Sequence, residues 1–357
     1  MRRALITLLS LLALPIWAQP FDPVVAGREI KLPQDAGAHP GHRVEWWYVT
    51  GNLDSKDGPL GFQVTFFRVR YREAEANPSR FSPRQILFAH AAVSDPRHGE
   101  LAQNQRIARA LSPLVEARIG DTDVRIGDWS LRREANGSYR TSVAAEGFSL
   151  ELVFTPTQPV LLEGDRGFSR KGPSPGAQGA EPASYYYSEP QLRVSGRVHL
   201  KKGAIDVTGV AWLDHEWSSE LLVSSAVGWD WVGLNLDDGG ALMAFRIRDA
   251  TGQTVWASAT QRTAKGETRT LAPEAVVFKP RRTWKSPRTG TLYPVEMELS
   301  LEGRTWRLEP LMNDQELDAR ASIGTLYWEG AVKATGPSGE GGRGYLELTG
   351  YAQRLPF

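Results

Sequence analysis

Asp214-His215-Glu216-Trp217 is the densest run of proton-transferring groups in this 357-residue chain. An imidazole flanked by carboxylates can be oriented and raised in pKa, which suits acid-base work. On an extended strand His215 and Trp217 share one face, and Asp214 and Glu216 share the other. A carboxyl group in an aromatic, water-poor setting is pushed up in pKa and can donate a proton. Trp212, Trp217, Trp229 and Trp231 would supply that setting. The opposing reading is a surface ion cluster where one domain ends.

Glu45-Trp46-Trp47-Tyr48 is the second candidate. It opens a segment, Trp46 to Asp54, that recurs as Trp229 to Asp237 with five of nine positions identical. Both copies keep Trp46 with Trp229, and Asn52 with Asn235, so these residues are assigned to the fold. Glu45 and Trp47 become Gly228 and Asp230 in the second copy, so they are freer to serve a site. Glu45 would orient water. His90 lies in the apolar run Leu87 to Ala92 and is either a core histidine or a lumen residue beside Glu45. His39 and His42 could ligate a metal, but no second cluster of suitable spacing supports one. The expected catalytic residues are His215, Asp214, Glu216 and Glu45. The expected ligand contacts are Trp217, Trp47, Tyr187, His90 and Trp212. No metal or cofactor is expected.

These residues need strands to position them. Gly61 to Arg70, Gln191 to Leu200, Val295 to Leu301 and Thr305 to Glu309 alternate apolar and polar residues, the period of a half-buried strand. Turn signals such as Asn136-Gly137 and Asp238-Gly239-Gly240 separate them. The fold class is all-β and antiparallel. One stretch, Gln105 to Arg118, could form a helix or a loop. Gly164 to Ser184, rich in Gly, Pro and Ser, predicts a long surface loop. Two further echoes close the copies: Tyr187-Ser188-Glu189 with Tyr327-Trp328-Glu329, and Val207-Thr208-Gly209 with Leu348-Thr349-Gly350. The predicted division is a leader at 1–20, a first barrel at 21–222 and a second at 223–357.

Arg2 and Arg3 precede an apolar run from Ala4 to Trp17, and Ala18 suits cleavage, so residues 1–20 read as a signal peptide. That implies a periplasmic or secreted protein. The chain has no cysteine, which removes disulfides and a lipidated N-terminus. Its 42 basic and 41 acidic residues nearly cancel, so nothing drives nucleic-acid binding. There is no His-Glu-x-x-His, no Walker loop and no strand-Gly-x-Gly-x-x-Gly-helix unit.

The motifs Glu45-Trp46-Trp47-Tyr48, Tyr185-Tyr186-Tyr187-Ser188-Glu189-Pro190, Ala211 to Ser219, Gly228-Trp229-Asp230-Trp231 and Tyr327-Trp328-Glu329-Gly330 together resemble the AttH-like family. This lipocalin-like group includes carotenoid 1,2-hydratase (hydroxyneurosporene synthase) and many predicted secreted hydrolases. The resemblance covers nearly the whole chain after the leader. It implies two tandem lipocalin-like (calycin) antiparallel β-barrels. It also implies hydration of an alkene by protonation and capture of the carbocation by water. The His-x-Trp pair tied to that activity matches His215 and Trp217. Its Tyr-x-Asp pair has no match on the next strand, Leu242 to Arg248. The expected partner is a hydrophobic small molecule or lipid near the inter-barrel junction. A non-catalytic carrier linked to membrane-associated export machinery is the alternative, and a secreted hydrolase the third reading. The sequence leaves the oligomeric state open.

Overall fold

The computed structural model describes residues 21–71, 77–79, 81–174, 181–201, 203–220 and 222–355. The expected leader lies outside these residues. The first sheet comprises β1 (Val44–Asp54), β2 (Leu60–Arg70), β3 (Gln85–Ser94), β4 (Ala102–Arg109), β5 (Val115–Ala117), β6 (Asp123–Ile126), β7 (Trp129–Arg133), β8 (Tyr139–Ala145), β9 (Phe148–Thr155), β10 (Leu161–Leu162), β11 (Phe168–Arg170), β12 (Ala183–Leu200) and β13 (Gly203–Glu220). Its order is β4-β3-β2-β1-β13-β12-β9-β8-β7-β6-β5, with β10 and β11 against β12. The second sheet comprises β14 (Ala226–Leu236), β15 (Ala241–Asp249), β16 (Thr254–Arg262), β17 (Thr268–Leu271), β18 (Val276–Lys285), β19 (Leu292–Leu301), β20 (Arg304–Pro310), β21 (Glu316–Ala319), β22 (Thr325–Thr335) and β23 (Gly341–Leu348). Its order is β17-β16-β15-β14-β23-β22-β20-β19-β18, with β21 against β22.

The first sheet curls into a nearly closed barrel. Arg106 on β4 spans the remaining gap, donating to the carbonyls of Ile126 at 3.0 Å and Ala144 at 3.2 Å. The second sheet is a half-barrel. Alternation builds both. On β9, Phe148, Leu150, Leu152 and Phe154 turn inward, and on β19 Tyr293, Val295, Met297, Leu299 and Leu301 do the same. No α-helix occurs among the described residues. The Gln105 to Arg118 stretch holds β4 and β5 instead, because β4 pairs with β3 along its length. The Gly164 to Ser184 segment is not all surface loop. β11 docks on β12, and Lys171 behind it is buried.

β1 departs from simple alternation. It is buried on both faces along nearly all its length. Glu45, Trp47, Val49 and Leu53 face the barrel interior, and Trp46, Tyr48 and Asn52 face the second sheet. The two sheets therefore pack through their outer faces. At Gly61 a Cβ would lie 2.6 Å from the Ala331 Cβ of the other sheet, so only glycine permits the approach.

The recurring segments lie on β1 and β14, which hold the same place in the two strand orders. Register extends the match. Tyr48 faces Asp214 across the ladder, and Trp231 faces Glu347. Glu45 faces Arg68, and Gly228 faces Arg248. The closing echoes do not hold equivalent positions. Tyr187 faces His215, but Trp328 rather than Tyr327 faces Leu348, a slip of one residue. Val207 to Gly209 lie in the first half of β13, whereas Leu348 ends β23.

Candidate active site

The alternation of β13 divides the Asp214 to Trp217 run between two sites. His215 and Trp217 enter the first barrel, while Asp214 and Glu216 line a cavity between the sheets. The cavity measures about 1030 Å³ counted with its open mouth. Its apolar wall includes Trp46, Tyr48 and Phe67 from one sheet and Trp229, Trp231 and Phe245 from the other. Gly233 makes room for the rings: a Cβ there would lie 2.6 Å from the Trp231 side chain and 3.1 Å from that of Trp212.

Five carboxyl-bearing residues border this apolar space: Asp214, Glu216, Glu329, Glu347 and, at its edge, Glu45. Asp214 accepts from Trp212 Nε1 at 2.6 Å, Ser188 Oγ at 2.6 Å and Tyr186 OH at 2.8 Å. Burial nevertheless dominates these bonds and pushes its pKa up to about 7. Behind it Glu163 is pushed up to about 8, again by burial. Ser188 Oγ lies 2.8 Å from Glu163 Oε1 and 2.6 Å from Asp214 Oδ1. A hydroxyl owns one proton, so it can donate to only one of the two. The other carboxyl group must be protonated and donate to it. Glu163, Ser188 and Asp214 thus form a proton store that ends at the cavity wall.

On the opposite wall Glu329 and Glu347 are neighbours across the β22–β23 ladder. Burial pushes both up; the charge of Glu347 adds to the rise at Glu329, and those of Asp214 and Glu216 add to the rise at Glu347. Trp229 Nε1 donates to Glu347 at 3.2 Å. Tyr48 OH and Glu329 Oε1 are buried without a partner, and both residues line the cavity. Glu216 is engaged differently. It accepts from Ser184 Oγ and pairs with Lys171 Nζ at 2.8 Å. That ammonium also lies 4.2 Å from the Phe245 ring centre.

The second cluster fills the mouth of the first barrel. Glu45 is fully buried. Its Oε2 meets Arg68 Nε at 2.8 Å, and its Oε1 meets His39 Nδ1 at 2.7 Å and His215 Nε2 at 2.9 Å. Burial alone would raise the Glu45 carboxyl, but Arg68 and the two histidines hold it well below the usual range. Burial pushes His215 down to about 4, against the upward pull of Glu45. His39 stacks on Trp217 at 3.8 Å, and His215 on Trp47 at 4.7 Å.

Several expectations change. The carboxylates beside His215 in sequence neither orient it nor raise its pKa, because the strand sends them to the opposite face. Glu45 has both oxygens occupied, so it does not orient water in the cavity. Trp47, Trp217 and Tyr187 point into the first barrel. Their neighbours Trp46, Glu216 and Tyr186 reach the cavity. His90 faces the second sheet rather than the lumen, with Nδ1 2.6 Å from Tyr327 OH and Nε2 2.8 Å from Ser322 Oγ. It stands behind the cavity wall, and Trp212 stands behind Asp214. Trp46 and Trp229, assigned to the fold, line the cavity with Tyr48, and Trp229 and Trp231 form part of the aromatic setting expected around Asp214. Glu329, Glu347, Glu163 and Lys171 were missed. Only a register-true alignment of Asp214 with Glu347 would have signalled them.

The AttH-like family matches residues 23–351. The chain belongs to the AttH-like family. A solved AttH structure from Nitrosomonas europaea is 52% identical, with a TM-score of 0.86 over 93% of this chain and 100% of that one. Kievitone hydratase of Fusarium solani subsp. phaseoli is 25% identical over 237 residues, 64% of this AttH-like chain and 62% of that enzyme. The match thus spans under two thirds of that enzyme's length. The kievitone hydratase structure from Nectria haematococca shares the fold of this AttH-like protein. Its TM-score is 0.68 at 17% identity, over 94% of this chain and 98% of that one.

Proposed function

We propose that this AttH-like protein is a hydratase-type enzyme, a hydro-lyase acting on a hydrophobic alkene held in the cavity between its sheets. The observation that carries the reading is the shared hydroxyl of Ser188, which requires one proton on the Glu163 and Asp214 pair, whose Asp214 end reaches the apolar wall. Asp214 would give its proton to the alkene carbon. The electron pair of the double bond forms the new C–H bond and leaves a carbocation. Trp46, Trp229 and Trp231 face that space, and each ring face can stabilise a cation by roughly 0.5–2 kcal/mol. Glu163 can pass its proton to Asp214 through Ser188. Water adds to the cation and loses a proton to this ionised carboxyl chain, which restores the store for the next turnover. The relationship to kievitone hydratase supports the reaction class.

The apolar lining also favours a second reading, a carrier of a lipid or isoprenoid that catalyses nothing. Export is part of both proposals and rests on the charged and then apolar leader. One experiment separates them. The protein is incubated with polyene and isoprenoid lipids in oxygen-labelled water, and products are read by mass spectrometry. A hydratase gives a product carrying one labelled hydroxyl, which Asp214→Asn abolishes. Bound lipid recovered unchanged from both proteins supports the carrier and ends the hydratase reading.

A further inference from the structure

The polar cluster in the mouth of the first barrel has a counterpart in the second sheet, and the two differ by one cation. In the second sheet Asp230 is fully buried and each oxygen meets a guanidinium, Arg246 Nε at 2.6 Å and Arg248 Nε at 3.0 Å. In the first, Arg68 holds the register position of Arg248 and serves one oxygen of Glu45. The register position of Arg246 is taken by Phe66. The second oxygen of Glu45 faces two imidazole nitrogens instead.

We propose that this cluster is a divalent-cation site with His39 Nδ1, Glu45 Oε1 and His215 Nε2 as ligands. Two imidazoles and one carboxylate suit zinc or a similar transition ion. All three ligand atoms lie within 4.8 Å of one another. The two nitrogens sit 2.7 Å and 2.9 Å from the carboxylate oxygen. Ligands at about 2.0–2.1 Å from a tetrahedral ion stand roughly 3.3 Å apart, so the two nitrogen–oxygen contacts would lengthen by about 0.4–0.6 Å on binding.

The groups behind the ligands point the same way. Metal-bound histidines commonly turn the other ring nitrogen to a fixed oxygen, which sets tautomer and ring angle. His39 Nε2 lies 3.2 Å from Asp35 Oδ1, and His215 Nδ1 lies 3.3 Å from Tyr187 OH. Arg68 on the far oxygen of Glu45 completes that outer layer. Stacking on Trp217 and Trp47 fixes both ring planes. His42, whose ring centre is 6.2 Å from that of His39, is 7% exposed and neither ring nitrogen has a partner. His39 is the least buried ligand and marks the route of entry.

The competing occupant is a proton on His39, which would bridge Asp35 and Glu45. The test uses tag-free full-length protein, stripped with a chelator and titrated with Zn²⁺ by calorimetry. Metal content after gel filtration gives the stoichiometry. One ion per chain is expected, with at least a tenfold affinity loss in His39→Ala and in His215→Gln. His199→Ala, away from the cluster, should bind as the parent does. Zn²⁺ should raise the melting temperature of the parent but not of His39→Ala, which remains decisive if His215→Gln fails to fold. Co²⁺ should give visible absorption bands typical of a nitrogen and oxygen site. Sub-stoichiometric uptake, or equal affinity in parent and His39→Ala, would overturn the proposal and leave the proton as occupant.

Discussion

Asn52 and Asn235 make the same hydrogen bond in opposite directions. Asn52 Nδ2 donates to the carbonyl of Gly344 at 3.1 Å, and Asn235 Nδ2 donates to the carbonyl of Ala211 at 3.3 Å. Gly51 faces Ala211 on the ladder, and Leu234 faces Gly344, so the two bonds are equivalent. Equivalent bonds running both ways relate the sheets by an approximate two-fold axis, as in an isologous dimer interface. The cavity lies between the faces so paired, and this is why each wall brings its own tryptophan, tyrosine and carboxyl groups.

The two asparagines should therefore hold the sheets together. Asn52→Ala leaves a buried carbonyl without its donor, a cost of about 1–3 kcal/mol. Asn235→Ala should cost more, because Asn235 Oδ1 also accepts from the Gln191 amide at 2.6 Å. Urea unfolding of the two single variants and the double variant measures this. Unchanged midpoints would remove the asparagines from the account of sheet packing.

Neighbouring tryptophans on one strand should separate binding from stability. Trp46→Ala and Trp229→Ala should weaken a fluorescent polyene fatty acid about tenfold each, equivalent to about 1.4 kcal/mol. Trp47→Ala and Trp217→Ala should leave that affinity near the parent value but cost about 3–5 kcal/mol of stability. The reverse pattern would place the ligand inside the first barrel.

Turnover should depend on the proton store. Asp214→Asn cannot donate as an acid and should lower the rate by about 10²–10⁴-fold. Ser188→Ala cuts the link between Glu163 and Asp214 while leaving the cavity shape alone. Its rate should fall less, and the alkaline limb of its pH profile should move. A Ser188→Ala profile superimposable on the parent's would show that Glu163 does not supply the proton.

Stability should fall as the solution becomes alkaline. Asp214 is raised from 3.8 to about 7 and Glu163 from 4.5 to about 8. The folded protein keeps these protons after the unfolded chain has shed them. The contribution is complete below the ordinary carboxyl range and is lost as pH rises through the raised values. His215, lowered to about 4, and His90, lowered to about 3, act in the opposite sense. Their contribution is complete above 6.5 and lost as pH falls through the lowered values. Above neutrality the raised groups set the slope, His39 and Glu347 among them, so Asp214→Asn and Glu163→Gln should each reduce it in denaturant midpoints. A parent slope of zero there would contradict the buried acids.

The order of residues on each strand was legible from period alone. Glu45 with Trp47, and His215 with Trp217, do share faces, and Asp214 with Glu216 take the opposite one. What alternation does not carry is the surface each face meets. A face turned away from one barrel is solvent in a single-barrel protein and an interior wall in a paired one. The filter applied to the recurring segment failed for that reason. Residues kept in both copies were assigned to fold, yet an approximate two-fold axis brings the kept outer faces together at one cavity. Glu329 stands in the recurring Tyr327-Trp328-Glu329 motif and Glu347 in none, and the two become a pair only through the β22–β23 register.

By itself the sequence determined the antiparallel strands, the AttH-like family and the alternation that separates His215 from Asp214. These follow from local period and residue type, which need no partner strand. Only the tertiary structure decided that His215 joins Glu45, Arg68 and His39 inside the barrel, while Asp214 joins Ser188 and Glu163 behind the cavity. Those groups are far apart in the chain, and their protonation depends on burial. Burial arises only when the two sheets close over one another and exclude water.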